Sequence, residues 1–469
     1  MDKCKQHDTR LEKLYPSPKR PRLCRGSFTL ICFTFYYAPG ARKDRAHINF
    51  FIDSPETPLP AARSPIRFLA KVYSIQSLGS VGANLLMYGI FFYMHKVYAW
   101  GASQNLPLSS AQGAVYVIGA LAANPLSRHI DRQQLLRILH ITMAVLSIAC
   151  AFVGPAMIVV LLLGYVMLSA CQWPLLESLV SIGAGPHQLS RRISIYNLVW
   201  SGTAAATYAT CGLIIGRFPP GIFYVAAAAH VASTLLLLPL PKRPPRRGGS
   251  SIDLPIESPS QSPHLTPEPE LIPLRTLAKR LSRIVLPATF AVIYALGAIM
   301  PTLKVIRSAT PAQATLLASV WMMSRWLCFV LLGMTIWWHT RPRALLIAAA
   351  VTLAAFLGVT LINSMYSMIL WQIAMGFAMG LIYSASLYFG TVLSDGSTAQ
   401  NAYHEALIGV GSILGPGCGA LALYLRPNNP RASITAVAAI LSLSLLAASL
   451  SSIKSRRKSR AEESLPTPI

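Results

Sequence analysis

The sequence predicts an all-α polytopic membrane protein, with twelve membrane-spanning helices in two pseudo-symmetric six-helix bundles. Three observations carry that prediction. Of the 469 residues, 53% are hydrophobic and 12% are charged, about half the charged content of a soluble domain. The apolar residues gather into twelve runs, each near the ~20 residues that cross a bilayer. Lysine and arginine crowd into alternate connecting segments, as they do when the positive side of a membrane protein stays inside. This composition excludes a soluble enzyme, a disordered chain and a small disulfide scaffold.

Taken in order, residues 1–66 read as a basic cytoplasmic extension rich in Lys, Arg and Pro. Its apolar stretch, Phe28–Tyr37, is too short to span, and Arg42, Lys43 and Arg45 follow it without a small-residue cleavage site, so it is not read as a signal peptide. Spans are expected at 70–94, 110–127, 134–153, 156–180, 193–216 and 221–240, then at 284–303, 312–338, 343–361, 366–392, 402–425 and 432–453. Residues 67–240 would form the first bundle and 284–453 the second, with 454–469 as a basic tail. The connection between them, 241–283, opens PKRPPRRGGSS and reads as a disordered linker. Its end carries Arg275, Lys279, Arg280 and Arg283 at three-and-four spacing. That spacing predicts a basic amphipathic approach lying at the membrane interface.

Charge fixes the expected orientation. With the N-terminus inside, inner segments hold 33 of the 41 Lys and Arg and outer segments hold 6. This places both termini in the cytoplasm of a multi-pass protein of the cell (inner) membrane and demands an even number of spans. The net charge of +25 therefore reads as orientation and contact with anionic lipid, not nucleic-acid binding. Cys150, Cys171, Cys211, Cys328 and Cys418 fall inside apolar runs, with no CxxC or Cys/His ligand spacing, so no metal site is expected. The absence of G-x-x-x-x-G-K-[ST] and H-E-x-x-H in the sequence argues against an ATP-driven pump and a zinc hydrolase. No cofactor and no enzymatic activity are expected.

The halves repeat. The fifth span contains Tyr196, Gly202, Cys211 and Gly212; the eleventh contains Tyr403, Gly409, Cys418 and Gly419, each at an offset of 207. Two six-span halves, a basic linker and internal termini give a chain that resembles the major facilitator superfamily of secondary transporters, over about residues 67–453. The family's loop between spans two and three reads roughly G-x-L-x-D-R-x-G-R-[KR]. The matching stretch here runs Asn124 to Gln133 and keeps Leu126 and Arg132, with Arg128 in place of the acid and Asp131 in place of the second glycine.

The resemblance implies a central site lined by spans one, four, seven and ten, and two halves that alternate around it. A charge at that depth is costly and should face the site or a partner. Arg325, in the eighth span, reads either as an anion-binding group or as one side of a structural ion pair. Glu177 reads as a coupling proton carrier or as an interfacial partner of Arg191 or Arg192. His404 and Glu405 read as an inner gate or as the favourable acidic first turn of a helix. Asn197, Arg128 and Asp131 complete the gating candidates. Gln76, Asn84, Gln172, Trp173, Tyr294, Trp371, Gln372 and Tyr383 are the neutral candidates for solute contact, and His230 reads as a satisfied helix contact. The expected activity is secondary transport of a small polar or anionic solute by a monomer, with possible proton coupling. The alternative is a transporter-like sensor or scaffold that no longer transports.

Overall fold

The computed structural model describes residues 65–181, 186–238, 271–335, 337–392 and 398–463, which belong to one compact unit. The expected extension up to residue 64 and the linker over 239–270 lie outside the described residues. All described regular structure is helical. Hydrocarbon offers no partner for an open backbone group, so each span satisfies its own peptides as a helix.

The spans are α1 (Arg67–Tyr98), α2 (Ala102–His129), α3 (Arg132–Cys150), α4 (Pro155–Ser181), α5 (Pro186–Arg217) and α6 (Gly221–Leu237). After the linker come α7 (Leu271–Ile299), α8 (Pro311–Gly333), α9 (Arg343–Leu361), α10 (Met365–Val392), α11 (Thr398–Leu425) and α12 (Ala432–Glu463). Among the described residues, eleven are long and apolar enough to cross a membrane by themselves. The twelfth, α6, has 17 residues, about 26 Å at the helical rise. Twelve crossings bring the chain back to the side on which it started, so α1 begins and α12 finishes at one end of the molecule. This end carries the clustered arginines and lysines and is called the basic end below.

Several bounds depart from expectation. The basic approach to the seventh span is no separate interfacial segment: α7 starts at Leu271 and runs unbroken to Ile299. Its charges keep the three-and-four spacing of the apolar residues beside them, so one helical face continues through both. The expected tail is likewise helical, since α12 continues to Glu463. The eighth span ends at Gly333, earlier than expected, and is interrupted at Ser319, whose hydroxyl turns back to the Leu316 carbonyl at 2.7 Å. Capping explains two starts. Asp131 accepts from the amides of Gln133 (3.1 Å) and Gln134 (3.3 Å) at the head of α3, and Thr310 forms a capping box with Gln313 before α8.

Packing separates the lipid face from the interior. Ile141, Val145 and Ile148 on α3, and Leu443, Leu446 and Leu450 on α12, are exposed at helical spacing, a pattern suited to lipid. The helix α7 is enclosed along 89% of its most apolar stretch and α1 along 72%, against half or less for the other long spans. These two helices form the centre. Within the first half, His140 and His230 share a hydrogen bond at 3.0 Å, and His230 bonds to the Tyr165 hydroxyl at 2.7 Å. Gly82 of α1 lies against this imidazole, where a Cβ would overlap it.

The repeated glycines explain how the halves meet. Gly202 and Gly212 of α5 lie against α8, at Trp326 and at Pro311 with Thr315. Their counterparts Gly409 and Gly419 of α11 lie against α2, at Val117 and Leu106. The same two positions of the repeat thus serve two interfaces related by pseudo-symmetry; the closest backbone approach is at Gly212, while Gly202, Gly409 and Gly419 face side chains. A Cβ on Gly212 would overlap the Pro311 carbonyl and the Thr315 hydroxyl. Gly212→Val is therefore expected to cost about 1–3 kcal/mol by overpacking, read as a lower thermal midpoint in detergent. Gly154→Ala should leave the midpoint unchanged, because nothing lies within 4 Å of its added carbon.

Candidate functional site

The centre of the molecule is polar at two adjoining places. The first is built around Arg325. Counting along α8, it lies about 21 Å from Pro311 and about 12 Å from Gly333 by helical rise, nearer the basic end than mid-span. Its residue is 5% exposed. The guanidinium carbon lies 5.0 Å from the ring of Trp200, on α5, and 5.0 Å from that of Trp321, on its own helix. A planar cation between indole faces is held by cation–π attraction. Among the described residues no carboxylate pairs with Arg325, and its Nε has no hydrogen-bond partner. The structural ion pair weighed from the sequence is thus not formed. The phenols of Tyr88, Tyr294 and Tyr383 are within electrostatic reach of the charge.

Tyr88 comes from a turn of π-helix, Leu85–Gly89, within α1. The wider turn alters the register of the residues that follow, a feature often found at functional sites. The Tyr88 ring stands 5.8 Å from Tyr294 and 5.9 Å from Tyr208, which joins α1 to α7 and α5. Trp200 continues the aromatic wall, 5.8 Å from Tyr383 and 6.2 Å from Phe329.

The second place is acidic and lies toward the basic end. Glu405, 8% exposed, accepts a hydrogen bond from the Tyr116 hydroxyl at 2.9 Å. This bond crosses from α11 to α2 and so from one half to the other. Glu177, on α4, lies within the electrostatic reach of Glu405. Tyr196 and Tyr383 feel both carboxylates. His404 bonds through Nδ1 to Ser386 at 3.0 Å, and its ring meets Tyr383 edge-on at 5.1 Å. Tyr383 feels Arg325 as well as the two acids. With Tyr294, which also feels Glu405 and Arg325, it joins the cationic and acidic places into one dipolar site.

Other candidates are placed elsewhere or are committed to their neighbours. Asn84 donates to the Ser80 carbonyl of its own helix at 2.8 Å. Gln76 donates to the Tyr196 carbonyl at 3.0 Å and ties α1 to α5. Gln172 donates to Ser169 at 3.2 Å and packs against Gly79 of α1. Gln372 donates to the Leu317 carbonyl at 2.9 Å, joining α10 to α8. Trp371 packs on Gly358 of α9, and Trp173 is half-buried against the core. Asn197 accepts from the Trp200 indole at 3.0 Å, so it orients the ring that covers Arg325. Asp131 serves as the cap of α3, and Arg128 is exposed at the end of α2. Neither forms a charge relay among the described residues.

The sequence reading missed Tyr88, Tyr116, Tyr196, Trp200 and Trp321. Two of these carried a signal: Tyr196 through its place in the repeat, and Trp200 through the polar Asn197 three residues before it on one helical face.

At the end opposite the basic one, the halves are closed on each other. Asn105 donates to the Ala298 carbonyl at 3.3 Å, Ser109 to the Tyr294 carbonyl at 3.1 Å and Ser110 to the Ile413 carbonyl at 3.0 Å. The amide of Gly212 donates to Thr315 at 3.0 Å. All four bonds cross between the halves. They lie between the far end and the depth of Glu405.

Comparison with known proteins agrees with this architecture. Residues 26–208 match the family model described as the Major Facilitator Superfamily, a match that begins well before the expected start at residue 67. No curated protein matches the sequence. Among solved structures, the nucleoside transporter NupG superposes with a TM-score of 0.60 at 14% identity, covering 83% of this chain and 99% of that one. A bacterial homologue of the human lysosomal transporter Spinster, inward-facing and occupied, gives 0.58 at 15% identity, covering 86% and 99%. A D-xylose–proton symporter gives 0.59 at 12% identity, covering 82% and 97%. At such identities these likenesses establish the fold, and the family match is carried by the first half. Over residues 26–208 the chain is similar to the Major Facilitator Superfamily, and its fold is that of these solved transporters.

Proposed function

We propose that this protein is a secondary active transporter that moves a small solute bearing an anionic group, by alternating access and together with protons. The single observation that carries the reading is Arg325, buried without a carboxylate partner between indoles contributed by both halves. A solute carboxylate or phosphate would satisfy that guanidinium bidentately, and its binding would be felt by α5 and α8 together. The tyrosines around the charge offer hydroxyls to the rest of the solute. Tyr383, Tyr294 and Arg325 are assigned to solute contact, and Glu177, Glu405 and His404 to coupling. Gln172, Gln372 and Asn84 support the helices that carry the site.

The bonds that close the far end form one gate. Release of the bonds of Asn105, Ser109 and Ser110 would let the halves rock and open the site to the opposite side. The basic end faces the cytoplasm of the inner membrane in this reading, and the transporting unit is the monomer. The test uses the purified full chain in proteoliposomes, challenged with carboxylates, organic phosphates, nucleosides and sugars, with and without a pH gradient. Gradient-dependent accumulation of an anionic solute is expected. Flux of none of these classes would overturn the reading.

A further inference from the structure

A second concentration of positive charge lies away from the central site. At the basic end, the first turns of α7 and the start of α11 enclose a groove of about 460 Å³ lined by Thr276, Lys279, Arg280, Arg283, Ile284 and Tyr403. The three cations recur at three-and-four spacing on one face of α7, with the Thr276 hydroxyl one turn before them. The Arg283 guanidinium carbon lies 4.5 Å over the Tyr403 ring, which holds that charge at the wall. Lys279 and Arg283 lie within each other's field. Like charges kept this close on a helix oppose folding. Among the described residues neither Lys279 nor Arg280 pairs with a carboxylate. The groove is at the membrane boundary, because the next residues of α7 enter the enclosed centre. Its chemistry is a hydroxyl, an ammonium, two guanidiniums and an apolar floor at Ile284. That set fits a tetrahedral oxyanion attached to an apolar or glycerol-like body.

We propose that this groove binds a phosphate group, supplied either by an anionic lipid headgroup or by soluble phosphate. Its lining shares no residue with the central site, so binding there is measured without transport. The full chain is purified with phosphatidylglycerol or phosphatidylcholine, and retained lipid is measured by native mass spectrometry. Inorganic phosphate binding is measured separately in phosphatidylcholine nanodiscs. Lys279→Gln with Arg280→Gln is expected to weaken phosphatidylglycerol retention by roughly thirtyfold, at about one surface-charge increment for each residue. Lys279→Arg should retain it, which separates lost charge from lost folding. Arg456→Gln with Arg457→Gln, at exposed positions on α12, should also retain it.

Phosphatidylglycerol binding that is lost only in the groove variant identifies the lipid source. Inorganic phosphate binding with that same sensitivity identifies the soluble source. Unchanged binding in the groove variant, equal loss in the α12 variant, or binding of neither probe would overturn the proposal.

Discussion

Replacing Arg325 by Ala is expected to abolish solute flux while leaving the protein folded and inserted. The two halves of that expectation have different causes. Folding survives because the guanidinium gives the fold no carboxylate partner and its Nε is left without a hydrogen bond. Removing a buried charge of this kind relieves a desolvation penalty. Flux fails because the guanidinium is the only cation enclosed in the central site among the described residues. A charge-assisted hydrogen bond contributes about 1.5–3 kcal/mol, so losing a bidentate pair weakens solute binding by roughly a hundredfold or more.

Arg325→Lys should restore little, because an ammonium has no planar face to lie between Trp200 and Trp321 and no fork for an anion. Trp200→Leu should give an intermediate loss, by removing one wall and leaving the charge. Solute uptake in proteoliposomes measures the first effect, and size-exclusion profile with thermal midpoint measures the second. Wild-type flux in Arg325→Ala would show that the solute binds elsewhere.

Why Arg325 was legible in the sequence and its neighbours were not is a matter of contrast. A charge inside an apolar span stands out because hydrocarbon penalises it. The repeated glycines stood out because they recur in register, and the structure places both pairs at interfaces between halves. The aromatic wall had no such contrast. Spans such as α4, α9 and α10 are apolar all round, so hydropathy does not say which face looks inward. Tyr116 matters only because Glu405, 289 residues away, is brought against it. The polar amides are ambiguous pointers for the opposite reason: within a bilayer an amide gains as much by bonding to a neighbouring backbone as to a solute, and the NH2 groups of Gln76, Asn84 and Gln372 donate to backbone carbonyls. The continuous α7 was obscured by its charge density, which lowers hydropathy without breaking helical spacing.

Neutralising Glu405 as Glu405→Gln is expected to uncouple transport from the pH gradient without stopping exchange of solute across the membrane. Glu177 and Glu405 lie in each other's field, and Tyr383 relates both to Arg325. The net charge of the site therefore depends on how many protons the pair holds and on whether an anion occupies the guanidinium. A solute anion and a proton can then move as one neutral load, which is cheaper to carry past hydrocarbon than either alone. One coupled proton across a gradient of one pH unit supports about tenfold accumulation. Glu405→Gln keeps the side-chain shape and an acceptor for the Tyr116 hydroxyl but is neutral and cannot take up or release a proton. Accumulation should fall to the ratio of equilibrium while counterflow of labelled solute persists.

Glu177→Gln should act alike, and the double variant should be no worse than either single change if the two acids work as a unit. Tyr116→Phe removes the hydrogen bond and leaves the carboxylate, so it should shift the pH profile of uptake and spare the coupling. A full gradient-driven accumulation in the double variant would remove the acidic pair from the mechanism and leave the cationic place to act alone.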